Sequence, residues 1–178
     1  MDIKKLSLLE LHRDLPEEYK KKPKISVFFV TDHIRSGHNI GSLFRIADAF
    51  AISKIYICGY KVDVQHAEIK KSAIGSENTV EWEYFEDITL CLQELRSKGV
   101  VIMGLEQTTH SIPIQKMEID SERPIALVFG NEVEGISDNA MKFIDDFIEI
   151  PQWGTKHSLN VSVAAGILSW EIVKRLKF

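Results

Sequence analysis

The chain has 178 residues, 44% of them hydrophobic and 27% charged, which is enough for one domain with a full core and ordinary for a globular protein. Its formal net charge of −4 excludes a protein that coats nucleic acid non-specifically, since such binding depends on neutralising phosphates and releasing counterions. Neither a signal peptide nor a run of the ~20 apolar residues needed to span a membrane is present, so a cytoplasmic protein is expected.

In chain order, Leu6-Ser-Leu-Leu-Glu-Leu-His12 reads as a short helix, followed by a charged connector ending at Pro23. Residues 1–24 are expected to form a basic, helical N-terminal extension, and residues 25–178 the main domain. From Ile25 the pattern becomes regular. Apolar, β-rich runs occur at Ile25–Val30, Lys54–Cys58, Val100–Leu105, Ile125–Phe129 and Phe147–Ile150. Most are nearly continuous rather than alternating, the signature of strands covered on both faces. Helical stretches are predicted at residues 40–51, 87–98 and 137–145 and from about Ser158 to Lys177, with a shorter helix at His66–Ala73 and a strand-like Val80–Tyr84. This alternation predicts an α/β fold with a mostly parallel sheet and helices on both faces. Cys58 and Cys91 each sit in apolar surroundings and are expected to be buried free thiols, not a disulfide or a zinc site. The histidines show no paired ligand spacing, so no metal is expected.

Three segments carry polar side chains beside glycine at element boundaries. The first is Asn39-Ile-Gly-Ser-Leu-Phe-Arg45, where Ile40, Leu43, Phe44, Ala47 and Phe50 define a buried helical stripe and Ser42 and Arg45 share another face. Asn39 suits an N-cap, and the plain reading is a cap and a solvated arginine. The second, Leu127-Val-Phe-Gly-Asn-Glu-Val-Glu-Gly135, follows a buried strand as phosphate loops do, but Ile136 stands where a P-loop needs lysine. A dinucleotide glycine fingerprint after the first strand is also missing. The third, Ile150-Pro-Gln-Trp-Gly-Thr-Lys-His-Ser-Leu-Asn-Val161, leads into a helix rich in small residues, with Ser158 as a candidate cap. Trp82, Trp153 and Trp170 are expected in the core or an interface, although Trp153 lies inside this polar loop, from which it could line a ligand pocket.

Together and in this order, the three segments closely resemble the signature motifs of the SpoU or TrmH family of RNA ribose 2′-O-methyltransferases, within the SPOUT superfamily, over roughly residues 25 to 175. The resemblance implies a C-terminal deep trefoil knot. It also implies S-adenosyl-L-methionine as cofactor, held by Leu105, Glu106, Gly130, Asn131, Ile150, Ser158 and Leu159. The implied reaction is methylation of a ribose 2′-hydroxyl in tRNA or rRNA, with Arg45, Asn39, Glu132, Ser158 and Asn160 as the catalytic set. Arg45 would act on the 2′-hydroxyl, either as a base or as a cation that positions phosphate and stabilises developing alkoxide. Asn39 would orient Arg45 or the ribose, Glu132 would brace the knot loops and the cofactor site, and Ser158 and Asn160 would organise the cofactor and the arginine's surroundings. A homodimer binding RNA, partly through residues 1–24, is expected. The competing reading is a non-catalytic RNA-binding or assembly factor that kept the fold.

Overall fold

The computed structural model describes residues 3–7 and 10–178. Its seven strands are β1 (Ile25–Asp32), β2 (Ile52–Cys58), β3 (Trp82–Phe85), β4 (Val101–Leu105), β5 (Ile112–Pro113), β6 (Ile125–Phe129) and β7 (Asp146–Glu149). They form one sheet in the order β3-β2-β1-β6-β4-β7-β5, and every ladder in it is parallel. Parallel strands require crossovers, and four of the six α-helices among the described residues lie in them: α2 (Gly37–Ala49), α3 (Ala67–Ala73), α4 (Ile88–Ser97) and α5 (Asp138–Met141), while α1 (Pro16–Lys21) precedes β1 and α6 (Val161–Lys177) follows β7.

Continuous apolar strands bury both faces, and two separate cores result. On one face Val27, Phe29, Leu127 and Phe129 meet Leu43 and Phe44 of α2, Ile69 of α3 and Leu168 and Ile172 of α6. On the other, Val30, Ile102, Ala126 and Val128 meet Leu92 and Leu95 of α4 and Ala140 of α5. Each fully buried Leu, Ile or Phe contributes about 1.5–3 kcal/mol relative to exposure, so the two helical layers are held firmly. Cys58 and Cys91 are both buried and free within the second core. A hydrogen bond with Cys91, together with burial, pushes the Cys58 thiol well above its ordinary pKa, which makes it unreactive.

Several boundaries differ from expectation for identifiable reasons. Among Leu6 to His12, the described residues Leu6, Ser7, Glu10, Leu11 and His12 are not helical, while Leu8 and Leu9 lie outside the described residues. The N-terminal helix is instead Pro16–Lys21, with proline in its first turn and acidic then basic residues along the dipole. It is tied to the domain by Tyr19, whose hydroxyl donates to the Asp48 carbonyl at 2.8 Å. Burial, with help from Asp48 and Asp14, pushes that phenol up to about 12. The helix expected over 137–145 stops at Met141, because Asp145 is drawn to β4: its N–H donates to the Ile102 carbonyl at 2.8 Å and its carboxylate accepts the Ile102 N–H at 2.9 Å. No helix among the described residues is long and apolar enough to cross a membrane.

Candidate active site

Because all strands run parallel, their carboxyl ends share one edge of the sheet. The order β1-β6-β4-β7 departs from chain order there, the kind of switch point at which open α/β sheets bind ligands. Leu105 pairs with Phe129 on one side and Ile148 on the other, so three strands end level. Above them opens a cleft of about 900 Å³, at the upper end of ligand-pocket volumes. Every residue expected to hold a cofactor lines it: Leu105, Glu106, Gly130, Asn131, Ile150, Ser158 and Leu159. Trp153 does not; it is 92% exposed and stands outside the cleft.

The cleft wall contributed by residues 130–136 is a tight turn. Asn131 and Gly135 exchange backbone hydrogen bonds of 2.9 and 3.0 Å, and the Asn131 side-chain oxygen accepts the Val133 N–H at 2.9 Å. Both glycines are required. A Cβ on Gly130 would lie 2.2 Å from the Gly135 carbonyl carbon. Gly135 has φ of 71° and leaves room for the Glu106 carboxylate, which accepts the Ile136 N–H at 3.1 Å. The turn is also fastened to the end of β1: the Asn131 amide donates to the His33 carbonyl at 2.7 Å, and the Ser137 N–H donates to the Asp32 carboxylate at 2.8 Å.

The three sequence segments converge behind this turn. The Asn39 side-chain amide donates to Glu132 Oε1 at 2.8 Å, and its oxygen accepts from the Asn160 amide at 3.0 Å. The Asn160 oxygen then caps α6, accepting the N–H groups of Ser162 at 2.9 Å and Val163 at 3.4 Å. Asn39 is thus not the cap of α2. Ser36 fills that position, and Asn39, buried in the first turn, is free to bridge Glu132 and Asn160. Likewise Asn160, not Ser158, caps α6. Losing the bridge takes one donor from Glu132, which keeps its backbone donors, and leaves the Asn160 amide without its partner, so Asn39→Ala is expected to cost about 1–3 kcal/mol and roughly 2–12 °C in Tm, read by calorimetry. An unchanged Tm would show that the bridge carries no stability.

Glu132 is held in its ionised form. Burial pushes its pKa up, but hydrogen bonds from the Asn39 amide and from the backbone N–H groups of Glu132, Ser36 and Arg35 outweigh that and leave it below the ordinary 4.5. A lowered folded pKa gives stability that is present above the unfolded value and is lost as the pH falls through the folded one. Tm is therefore expected to fall on acidification below about pH 4.5, and Glu132→Gln to flatten that acid limb. Parallel Tm–pH curves for the two proteins would contradict the assignment.

The cleft's charge is one-sided. Glu106, Glu132, Glu134, Asp138 and Glu149 line it, and no lysine, arginine or histidine among the described residues does. A phosphorylated ligand is repelled by such a lining, and a cation is attracted. No group of three or more His, Cys, Asp or Glu side chains among the described residues is arranged to hold a metal.

Arg45 is placed apart from this cleft. Six residues beyond Asn39 it lies about 9 Å further along α2 and on another side of the helix. It is exposed, without an ion-pair partner among the described residues, and it borders a second groove with His38, Ser42, Phe50, Lys71 and Ser72. The structure therefore gathers Asn39, Glu132, Ser158 and Asn160 and leaves Arg45 outside. Asp32, Ser36 and Gln107, which sequence reasoning passed over, anchor the loops around the cleft. The one available signal for Asp32 was a charge closing an apolar strand.

A cleft at the carboxyl edge of a parallel α/β sheet is where such folds bind small molecules, and the acidic lining favours one that carries positive charge over one that carries phosphate. The chain belongs to the SpoU rRNA Methylase family, whose model matches residues 26–170. It is 31% identical over 163 residues to the tRNA (guanosine(18)-2′-O)-methyltransferase of Aquifex aeolicus, covering 88% of this chain and 72% of that protein. It is 32% identical to the 23S rRNA (guanosine-2′-O-)-methyltransferase RlmB of Blochmanniella floridana, covering 86% of this chain and 59% of that one, so it spans under two thirds of that relative's length. The crystal structure of the A. aeolicus TrmH/SpoU tRNA modifying enzyme matches with a TM-score of 0.79 at 28% identity, over 91% of this chain and 80% of that one. The SpoU methyltransferase AviRb from Streptomyces viridochromogenes, crystallised in complex with AdoMet, shares the fold with a TM-score of 0.74 at 24% identity, over 89% of this chain and 63% of that one.

Proposed function

We propose that the chain transfers a methyl group from S-adenosyl-L-methionine to a ribose 2′-hydroxyl of a tRNA or rRNA. The observation that carries this reading is the cleft lined by five carboxylates and no cation. It fits a ligand whose sulfonium and ammonium groups outweigh its single carboxylate, and it disfavours NAD, ATP or any other phosphorylated nucleotide. The backbone edges at Leu105, Gly130 and Ile150, with the side chains of Asn131, Ser158 and Leu159 and the turn braced by Glu106, would hold the cofactor. When bound there, it supplies an electrophilic methyl group on sulfur.

The protein's own task is then to bring the 2′-oxygen to that methyl group and to favour loss of its proton to solvent water. A guanidinium does not give up its proton near neutral pH, so Arg45 serves as a cation, holding the RNA backbone and stabilising the oxyanion as it develops. Asn39 keeps Glu132 and Asn160 in place, and through them the cofactor loops. The non-catalytic alternative would not need to keep this bridged constellation intact.

A homodimer completes the proposal. Arg45 does not reach the cleft of its own chain, whereas α6 leaves Val163, Ile167 and Trp170 exposed at helical spacing beside the groove that Arg45 borders. A second copy covering this stripe would bury it and present its own Arg45 to the cleft. The trefoil knot, the cytoplasmic location and an N-terminal extension of 24 residues that contacts RNA belong to the same proposal. The test is calorimetric titration. S-adenosylmethionine is expected to bind with one site per chain and NAD and ATP not at all; tight binding of either phosphorylated nucleotide would overturn the reading.

A further inference from the structure

We propose that Trp153 is a stacking platform for a nucleobase of the RNA substrate at the lip of the cofactor cleft, with Lys156 beside it to take a neighbouring phosphate. The inference rests on the methyltransferase reading and deepens it. Between residues 25 and 177, Trp153 is the most exposed large hydrophobic side chain, at 92%, whereas Trp82 and Trp170 are 41% and 50% exposed. Trp170 also packs on Phe50, with ring centroids 6.2 Å apart.

Trp153's loop is not detached from the fold. Gln152 before it and Ser158 after it both line the cleft, and the Gln107 amide donates to the His157 carbonyl at 2.8 Å. The indole is thus carried on a loop anchored at both ends and presented to solvent at the mouth of the site. The space beside it is open, because a Cβ on Gly154 would meet nothing within 4 Å.

The charge around it points to RNA. Five carboxylates inside the cleft repel phosphates, so a strand approaching it needs compensating cations outside. Lys156 and His157 are exposed, and neither has an ion-pair partner among the described residues. An exposed indole and an exposed lysine three residues apart on one loop are the combination that single-stranded nucleic acid favours: a π-face for a base and a charge for its phosphate. This also resolves the position of Trp153 outside the cleft, where it has no contact to offer the cofactor.

The test uses the full chain with bulk tRNA and rRNA from a strain lacking it. Wild type, Trp153→Ala, Trp153→Phe and Lys156→Ala are compared by filter binding to RNA, calorimetry with S-adenosylmethionine and light scattering. Trp153→Ala is expected to weaken RNA binding about 5- to 100-fold and raise the KM for RNA in step, with cofactor affinity and mass unchanged. Trp153→Phe is expected to restore most of the loss, as a second aromatic would. Unchanged RNA affinity overturns the proposal. So does a parallel loss of cofactor binding, which would place Trp153 in the cleft, or a fall in mass, which would place it against a partner subunit. A wild type that binds RNA in a Trp153-dependent way but binds no S-adenosylmethionine would sink the methyltransferase reading alone. A wild type that binds no RNA would sink both.

Discussion

Arg45→Ala is expected to lower the rate of methyl transfer by about a hundred- to a thousand-fold while leaving S-adenosylmethionine affinity unchanged. That magnitude is typical for removing one preorganised group that stabilises a developing oxyanion. The split between rate and cofactor affinity follows from geometry: Arg45 borders the α2–α3 groove and touches none of the cofactor cleft in its own chain. Its exposure and lack of an ion-pair partner also mean that alanine there removes no buried contact, so Tm should not change. Single-turnover kinetics with unmethylated RNA is the appropriate measurement. Near-wild-type turnover would remove Arg45 from the reaction, and a matching loss of cofactor binding would move it into the cleft.

The opposite split is expected of Gly130→Ala. The added carbon would stand 2.2 Å from the Gly135 carbonyl carbon and 2.4 Å from the Ile136 nitrogen, far inside the ~3.5 Å at which carbon contacts become favourable. Both neighbours are backbone, so relief requires the turn itself to move. Movement there breaks the Asn131–Gly135 pairing and disturbs the Ile136 N–H to Glu106 and Ser137 N–H to Asp32 bonds. Overpacking of this kind costs about 1–3 kcal/mol, equivalent to a five- to hundredfold loss of cofactor affinity if the strain falls on the bound state. Calorimetric titration of Gly130→Ala beside Gly154→Ala, where the same carbon meets nothing within 4 Å, separates this effect from a generic loss of flexibility. Equal cofactor affinity in the two variants would show that the turn is not part of the binding wall.

Much of this arrangement was legible in the sequence because it rests on local pattern. The runs at Ile25 and Ile125 read as doubly covered strands since their neighbours on both faces are apolar, and the two cores follow from that; β7, read the same way at Phe147, fully buries only Ile148. Residues around Asn39, Glu132 and Asn160 were identifiable as polar groups at element ends. What escaped was set by contacts between distant segments. β5 is only Ile112–Pro113 and carries no periodicity, existing because β7 lies beside it. Helix α5 is short because Asp145 finds Ile102, 43 residues away. Asn39 looked like a cap, and only the approach of Glu132 and Asn160, 93 and 121 residues distant, gives its side chain another use. The separation of Arg45 from the cleft is likewise invisible in a one-dimensional motif, where the seven residues from Asn39 to Arg45 read as one unit. Helical rotation divides them between a buried bridge and an exposed groove.

The central proposal is that the chain methylates ribose 2′-hydroxyls in RNA. Mapping 2′-O-methyl sites across total RNA from a deletion strain, and from that strain complemented with wild type or with Arg45→Ala, tests it most directly. At least one ribose in tRNA or rRNA is predicted to lose its methyl group on deletion, to regain it with wild type and to stay unmethylated with the variant. Identical methylation profiles in all of these strains would contradict the proposed function.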